Sequence, residues 1–136
     1  MATHLIDKSA WTRIVRDRPD KWVAAMDSGR LAVTGVGLLE LLYSAPDRAR
    51  FDRIRAGLEA LPRVAVNEAI IDRAIEVQGL MVSRGTHRAP SPADLILAAC
   101  AEANELILLH YDKDFELIAH VTGQPVEWVV PAGSVT

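Results

Sequence analysis

Four carboxylates occupy positions where a solvated surface does not explain an acidic residue. Two of them directly follow short apolar runs that predict β-strands, and the other two stand alone in apolar helical stretches; they are Asp7 and Asp112, and Glu40 and Asp94. Carboxylate oxygens favour hard divalent cations, Mg²⁺ or Mn²⁺, over zinc or copper. A cation held in this way binds substrate phosphate and activates water. If folding gathers these residues, the pattern indicates metal-dependent hydrolysis of a phosphate ester.

Gathering these carboxylates would require a counter-ion. Two carboxylates about 5 Å apart repel each other by roughly 3 kcal/mol at an effective dielectric constant of ~20. The repulsion matters most for Glu40, because the helix predicted around it, residues 36–44, is apolar on every side and should be buried all round. An unpaired buried carboxylate costs several kcal/mol. The sequence therefore predicts that Glu40 is buried and needs a cation.

Each of these positions also has an ordinary structural explanation. Asp7 could cap the helix that follows it. Asp94 lies three residues after Ser91, which is the spacing of a capping box, and this explanation is the stronger one for Asp94 taken alone. Asp112 and Asp114 could start a turn. Only the joint arrangement of the carboxylates favours a functional site over these local roles.

The elements that would position these residues alternate between strands and helices. The sequence predicts strands at residues 3–6, 31–34, 64–66, 106–109 and 126–130, and helices at 9–16, 19–28, 36–44, 47–60, 68–84, from 91 onward, and 114–122. Continuous apolar strands that alternate with helices are typical of an α/β fold with a mainly parallel sheet covered on both faces. Ligands of such sheets bind at the carboxyl ends of the strands, where Asp7 and Asp112 would lie.

Composition narrows the class of protein. The 136 residues, half of them hydrophobic, suit a single domain over residues 1–136. Cys100 is the single cysteine, which excludes an internal disulfide framework and favours a reducing compartment. The longest run without Asp, Glu, Lys or Arg is ten residues, too short to span a bilayer. The N-terminal residues lack the apolar stretch of a secretory peptide. We therefore expect a cytoplasmic protein without a membrane partner.

Four segments carry the acidic residues in a fixed order. They are Leu5-Ile6-Asp7-Lys8-Ser9, Leu38-Leu39-Glu40-Leu41, Ala93-Asp94-Leu95-Ile96-Leu97-Ala98-Ala99 and His110-Tyr111-Asp112-Lys113-Asp114-Phe115. In order, spacing and predicted context, across nearly the whole chain, this set resembles the PIN-domain ribonucleases. More narrowly, it resembles the VapC-type toxins of toxin–antitoxin pairs.

The resemblance implies a three-layer α/β/α PIN domain and assigns roles to particular residues. It implies that Asp7, Glu40, Asp94 and Asp112 are catalytic and bind Mg²⁺, with Mn²⁺ as a substitute, and that Asp114 assists in metal binding. The implied activity is cleavage of single-stranded RNA by water, with the protein acting as an endoribonuclease toxin. The implied partners are a second copy in a homodimer and a small antitoxin that fills an apolar groove and reaches the acidic site. Trp11, Trp22 and Val23 could line that groove or belong to the core.

Two positions depart from the family pattern. The family commonly has Ser or Thr directly after the first aspartate, where this chain has Lys8 followed by Ser9, and again at the position of His110. A hydroxyl there can orient a carboxylate or water. His110 could take over this role, contact RNA phosphate, or be a structural histidine.

Basic residues offer candidates for RNA contacts despite a net charge of −3. Arg84 and Arg88 precede the Asp94 helix and are expected to contact phosphate, although a flexible polar loop explains them equally well. Five arginines lie between residues 46 and 64. A solvated helix face is the better explanation of that run, ahead of a phosphate track.

Two other functions compete with the nuclease. One is a non-catalytic PIN-like interaction module that keeps the acidic cluster. The other is a phosphotransfer enzyme with an aspartyl nucleophile, which would need a second acid next to Asp7 or two residues after it. Ile6 and Ser9 occupy those positions, so the second alternative is the weaker one.

Overall fold

The computed structural model describes residues 1–134, which form five strands and seven helices. The strands are β1 (His4–Ile6), β2 (Leu31–Thr34), β3 (Arg63–Val64), β4 (Ile107–His110) and β5 (Val126–Trp128). The helices are α1 (Lys8–Asp17), α2 (Asp20–Asp27), α3 (Gly35–Tyr43), α4 (Arg48–Glu59), α5 (Glu68–Ser83), α6 (Pro92–Ala103) and α7 (Asp114–Thr122). Every predicted element is present, although β3 and β5 are shorter than their apolar runs.

The five strands form one parallel sheet in the order β3-β2-β1-β4-β5. β1 is central, with Leu5 paired to Ala32 of β2 on one side and to Leu108 of β4 on the other. Because parallel strands run the same way, their carboxyl ends meet at one edge of the sheet. The structure thus confirms the predicted α/β fold, with all pairings parallel.

Helices cover both faces of the sheet, and the strand residues alternate between two cores. Leu5 and Leu108 pack with residues of α5, α6 and α7. Their neighbours Ile6 and Leu109 pack on the opposite face with residues of α1, α2, α3 and α4. Alternation with a period of two is what a strand buried on both faces requires. The result is a three-layer α/β/α arrangement.

Trp11 and Trp22, which were predicted to line a groove or to belong to the core, have different environments. Trp22 is buried, and its indole Nε1–H donates to the carbonyl of Val129 at 2.6 Å, so it belongs to the core. Trp11 is only partly buried against the same core. Within residues 1–134, no helix has both the length and the apolar character needed to cross a membrane.

Candidate active site

Asp7 ends β1 and caps α1 at the carboxyl edge of the sheet. Its Oδ1 accepts hydrogen bonds from the Ser9 hydroxyl at 2.7 Å and from the Ala10 N–H at 3.0 Å. The side chain is buried. Burial raises the pKa of Asp7 from 3.8 to about 6, although these hydrogen bonds oppose the change. Asp7 therefore has the predicted capping role and is at the same time an acidic group held away from water.

Ser9 is a positioning residue that the sequence reasoning missed. Its hydroxyl donates to Asp7 and also accepts the backbone N–H of Tyr111 at 2.8 Å. The hydroxyl thereby connects the end of β1 to the chain that leaves β4. Because Ser9 orients the Asp7 carboxylate, it performs the task expected of a hydroxyl at the position of Lys8. The sequence Asp7-Lys8-Ser9 already offered this hydroxyl, one position later than the family pattern has it.

Asp94 forms the capping box that its spacing from Ser91 predicts. The backbone N–H of Ser91 donates to Asp94 Oδ2 at 3.0 Å, and the backbone N–H of Asp94 donates to the Ser91 hydroxyl at 3.1 Å. The pKa of Asp94 is raised by burial and further by the charges of Asp112 and Glu40. The predicted cap is therefore confirmed, and the same carboxylate also lies close to Asp112 and Asp114.

Asp94, Asp112 and Asp114 form the tightest group of acids among the described residues. One carboxylate oxygen from each lies within 4.8 Å of the others. Asp112 Oδ1 also accepts the backbone N–H of Asp114 at 2.9 Å, which is the turn predicted for this pair. Burial and the neighbouring Asp112 charge raise the pKa of Asp114. Asp114 is thus as close to the centre of the group as the two acids predicted to lie there.

Asp7 and Glu40 border this group without belonging to its closest triad. The charge of Asp94 contributes to the raised pKa of Asp7, and the charge of Glu40 contributes to that of Asp94. The structure therefore brings together all of the acids predicted from the sequence, drawn from β1, α3, α6 and the end of β4.

The prediction that Glu40 is buried is wrong, although the cation that it was expected to need is present in the form of Lys8. Its side chain keeps 27% of its surface exposed, and the Lys8 ammonium lies 3.7 Å from Glu40 Oε2. The error arose because α3 is apolar on all sides, yet only one face of it, which includes Leu41, is covered. Leu39 and Tyr43, on the same side as Glu40, are exposed. Part of the apolar surface of α3 is therefore exposed to solvent.

The expected contact between His110 and RNA phosphate is also wrong. His110 is fully buried, and its ring packs against Phe115 and Trp128. Nδ1 accepts the backbone N–H of Asp112 at 3.1 Å, so the ring proton is on Nε2, which lies 3.2 Å from Glu116 Oε1. Burial lowers the pKa of His110, although the Glu116 charge opposes this. Both ring nitrogens are occupied, and His110 positions the backbone of Asp112.

Replacing His110 by leucine is expected to destabilise the fold by about 1–3 kcal/mol, because the Asp112 N–H is left without an acceptor. The same change should weaken Mn²⁺ binding, since Asp112 loses its fixed backbone. His110→Asn offers an acceptor again and should recover part of the Mn²⁺ affinity. Urea unfolding and a Mn²⁺ titration measure the two effects. A leucine variant with wild-type Mn²⁺ affinity would show that His110 only fills space.

Most arginines of the run between residues 46 and 64 are neutralised by neighbouring acids. Ion pairs join Arg48 to Asp52, Arg50 to Asp47, and both Arg55 and Arg63 to Glu59. This pattern supports the solvated helix face that the sequence favoured. Arg84 and Arg88 are exposed in the connection between α5 and α6, and within residues 1–134 neither forms an ion pair.

The donor set of the cluster fits a hard divalent cation. All five acids offer carboxylate oxygens, and three of these oxygens are already close enough to share one ion. The sulfur of Cys100 is buried in α6 among core residues and donates weakly to the carbonyl of Ala65. Oxygen ligands of this kind suit Mg²⁺, Mn²⁺ or Ca²⁺. Burial, with a contribution from neighbouring acids, raises the pKa of Asp7, Asp94 and Asp114, and a divalent cation held by the cluster would favour their ionised forms.

Comparison with known proteins identifies the family. The family model described as PIN domain matches residues 4–121, which is most of the chain. The protein therefore belongs to the PIN-domain family, as its fold and acidic edge indicate.

Individual relatives within this family are VapC proteins. The chain is 45% identical over 127 residues to "Ribonuclease VapC2" of Mycobacterium tuberculosis, covering 90% of this chain and 89% of that protein. It is 36% identical over 132 residues to "Ribonuclease VapC18" of the same species, covering 95% and 96%.

Solved structures share the fold at lower sequence identity. The DNA-bound VapBC structure from Salmonella typhimurium matches with a TM-score of 0.77 and 17% identity, covering 96% of this chain and 100% of that chain. VapBC-1 from nontypeable Haemophilus influenzae matches with a TM-score of 0.75 and 19% identity, covering 93% and 98%.

Proposed function

We propose that the protein is a Mg²⁺-dependent endoribonuclease that cleaves single-stranded RNA as the toxin of a toxin–antitoxin pair. The observation that carries the proposal is the convergence of Asp94, Asp112 and Asp114 within 4.8 Å, bordered by Asp7 and Glu40, at the carboxyl edge of the sheet. Relatives at 36–45% identity bear the name VapC ribonuclease, which supports RNA as the substrate.

In this proposal each acid has its own role. Asp94, Asp112 and Asp114 would hold the cation, which when bound supplies positive charge to the phosphate and lowers the pKa of water. The cap fixes Asp7 through Oδ1, which leaves Oδ2 to accept a proton from the attacking water. Glu40 completes the negative field on the side of α3. Ser9 and His110 hold Asp7 and Asp112 in place.

The proposal predicts that removing divalent ions abolishes RNA cleavage. Purified protein is incubated with single-stranded RNA after treatment with EDTA, and then with added Mg²⁺ or Mn²⁺, and the products are separated on a denaturing gel. Cleavage should return with either ion. The Asp112→Asn variant should cleave the RNA more slowly than the wild type by on the order of 10²–10³-fold. Cleavage that persists in EDTA, or that Asp112→Asn retains, contradicts the assignment. A wild type without any activity would instead favour the non-catalytic interaction module.

An antitoxin and a second copy of the chain are the proposed protein partners. Solved structures of similar fold include a toxin–antitoxin complex from Klebsiella pneumoniae and a member of the VapBC family of toxin–antitoxin systems from Mycobacterium tuberculosis, which supports the antitoxin. A groove of about 310 Å³ between α1, α3 and α4 provides an apolar surface on which the antitoxin could bind. Its lining includes Trp11, Val15, Leu41 and Ile54. The exposed Leu39 and Tyr43 of α3 support an interface with a second copy.

Arg84 and Arg88 are proposed as contacts to RNA phosphates away from the reacting bond. Both side chains are exposed in the connection that leads into α6, the helix that carries Asp94. The arginine guanidinium group can donate two hydrogen bonds to the oxygens of one phosphate. Such a contact adds affinity that does not depend on the base sequence of the RNA.

A further inference from the structure

RNA must approach a group of five carboxylates on a chain whose net charge is −3. Without local positive charge, a polyanion would be repelled from such a site. The chain has three lysines, and two of them directly follow the strand-end acids, in the dipeptides Asp7-Lys8 and Asp112-Lys113. Because β1 and β4 are neighbours in a parallel sheet, both dipeptides lie at the same edge.

Lys8 lies beside the acidic group, next to Glu40. It is the first residue of α1, its side chain is 56% exposed, and its ammonium is 3.7 Å from Glu40 Oε2. An exposed ion pair at this distance is weak, so the ammonium can leave Glu40 when a stronger anion arrives. Lys8 is therefore both near the acids and available to a ligand.

Lys113 also lies beside the acidic group. It is exposed and stands between Asp112 and Asp114, directly before α7. Carboxylate oxygens of Asp94, Asp112 and Asp114 lie within 4.8 Å of one another, so the main chain that carries Lys113 borders this triad. Lys8 pairs with Glu40 and Lys113 adjoins Asp112 and Asp114, so the two lysines accompany different acids of the same site.

We propose that Lys8 and Lys113 are a pair of RNA-binding residues that contact phosphates next to the bond to be cleaved. In the free protein the same two ammonium groups partly neutralise the acids, Lys8 through its ion pair with Glu40. A bound divalent cation would supply that positive charge and leave the two lysines available to the RNA. The proposal rests on the proposed function, because it assumes that the substrate is RNA.

The first test measures RNA binding rather than cleavage. A 12-nucleotide single-stranded RNA is titrated by fluorescence anisotropy in Ca²⁺ at several KCl concentrations, with a denaturing gel to show that the probe stays intact. Lys8→Gln and Lys113→Gln should each weaken binding and reduce the slope of log K against log [KCl] by about 0.7, as loss of one single-strand phosphate contact requires. Lys21→Gln is the matched control, because Lys21 also follows an aspartate but lies in α2, paired with Glu127.

The second test needs no RNA. If the lysines neutralise the acids in the free protein, removing either charge should tighten Mn²⁺ binding, by about three- to tenfold for an ammonium several ångströms from the ion. Mn²⁺ titrations followed by electron paramagnetic resonance measure this for the same three variants. Lys21→Gln should match the wild type.

The combined outcomes separate the two proposals. Unchanged salt slopes in Lys8→Gln and Lys113→Gln overturn the RNA-binding role, even if the wild type cleaves RNA. Unchanged or weaker Mn²⁺ affinity overturns the neutralising role. A wild type that binds RNA through both lysines but never cleaves it, with any divalent ion, refutes the nuclease and leaves the lysine pair as an RNA-binding feature.

Discussion

Asp94→Asn is expected to lower RNA cleavage by on the order of 10²–10³-fold while leaving the metal-free protein at least as stable as the wild type. The activity falls because Asp94 supplies one of three carboxylate oxygens that lie within 4.8 Å of one another. Stability is kept because asparagine retains a side-chain oxygen that can accept the Ser91 N–H and complete the cap. The substitution also removes a negative charge that burial and the neighbouring acids disfavour.

Asp94→Ala separates the capping role from the charge. Alanine removes the same charge but leaves the Ser91 N–H without its side-chain acceptor, which should cost about 1 kcal/mol relative to asparagine. Thermal unfolding in EDTA compares the three proteins. In Mg²⁺ at 100 times its dissociation constant, the wild type should gain about 2.7 kcal/mol, and both variants should gain much less.

The outcome that would contradict this account is specific. If Asp94→Asn melts well below the metal-free wild type, the carboxylate is needed for the fold and its place in the acidic group is incidental. If the variant gains as much stability from Mg²⁺ as the wild type does, the ion binds elsewhere.

The Asp7 carboxyl group is expected to reduce the stability of the metal-free protein as the pH rises from about 4 to above 6. Asp7 has a pKa near 3.8 when unfolded and about 6 in the fold, so the folded chain binds more protons within this interval. The loss of unfolding free energy that Asp7 causes is on the order of 3 kcal/mol, and it is complete once the pH exceeds the pKa of Asp7 in the fold. The raised pKa values of Asp94 and Asp114 act in the same direction. Stabilisation by Mg²⁺ should correspondingly be greater at pH 7.5 than at pH 5.

Asp7→Asn isolates this contribution. The amide can still accept the hydrogen bonds from Ser9 and Ala10, so the cap of α1 is retained without the buried charge. The variant should be more stable than the metal-free wild type at pH 7.5, equal to it near pH 4, and inactive at both values. Comparison of the two proteins at each pH also removes two opposite contributions. Burial lowers the pKa of His110, and His4 and Lys21 lower the pKa of Glu127 although its burial opposes them.

Urea unfolding of both proteins in EDTA from pH 4 to pH 8 gives the difference directly. A difference in unfolding free energy that stays constant across this range would show that Asp7 does not titrate as its burial requires. A variant that is less stable than the wild type at pH 7.5 would show that positive charge in the fold stabilises the ionised Asp7 carboxylate.

Three of these acids have a local structural role as well as a place in the acidic cluster. Asp7, Asp94 and Asp112 each receive at least one backbone N–H hydrogen bond at the start of a helix or turn. Such donors stabilise negative charge. The same hydrogen bonds hold one oxygen of each carboxylate and leave the other for a ligand. The structural and functional explanations of these residues are therefore complementary.

The sequence alone was sufficient for the order of elements, and it also singled out Asp94 and Asp112, which the fold brings close to each other. Strand periodicity and helix caps are local signals, so the alternation of strands and helices, the parallel sheet and the edge that carries Asp7 and Asp112 follow from residues close together in the chain. Asp94 and Glu40 stood out because each is the single charge in its apolar stretch.

Only the tertiary structure decided which groups meet across the site. The Lys8–Glu40 ion pair joins residues 32 positions apart, the Ser9–Tyr111 hydrogen bond joins residues 102 apart, and the burial of His110 depends on Trp128 from another strand. The uncovered face of α3 is equally invisible in its composition, because a helix that is apolar on every side does not reveal which side its neighbours cover. These features depend on packing between distant segments, and a pattern read along the chain carries no information about that packing.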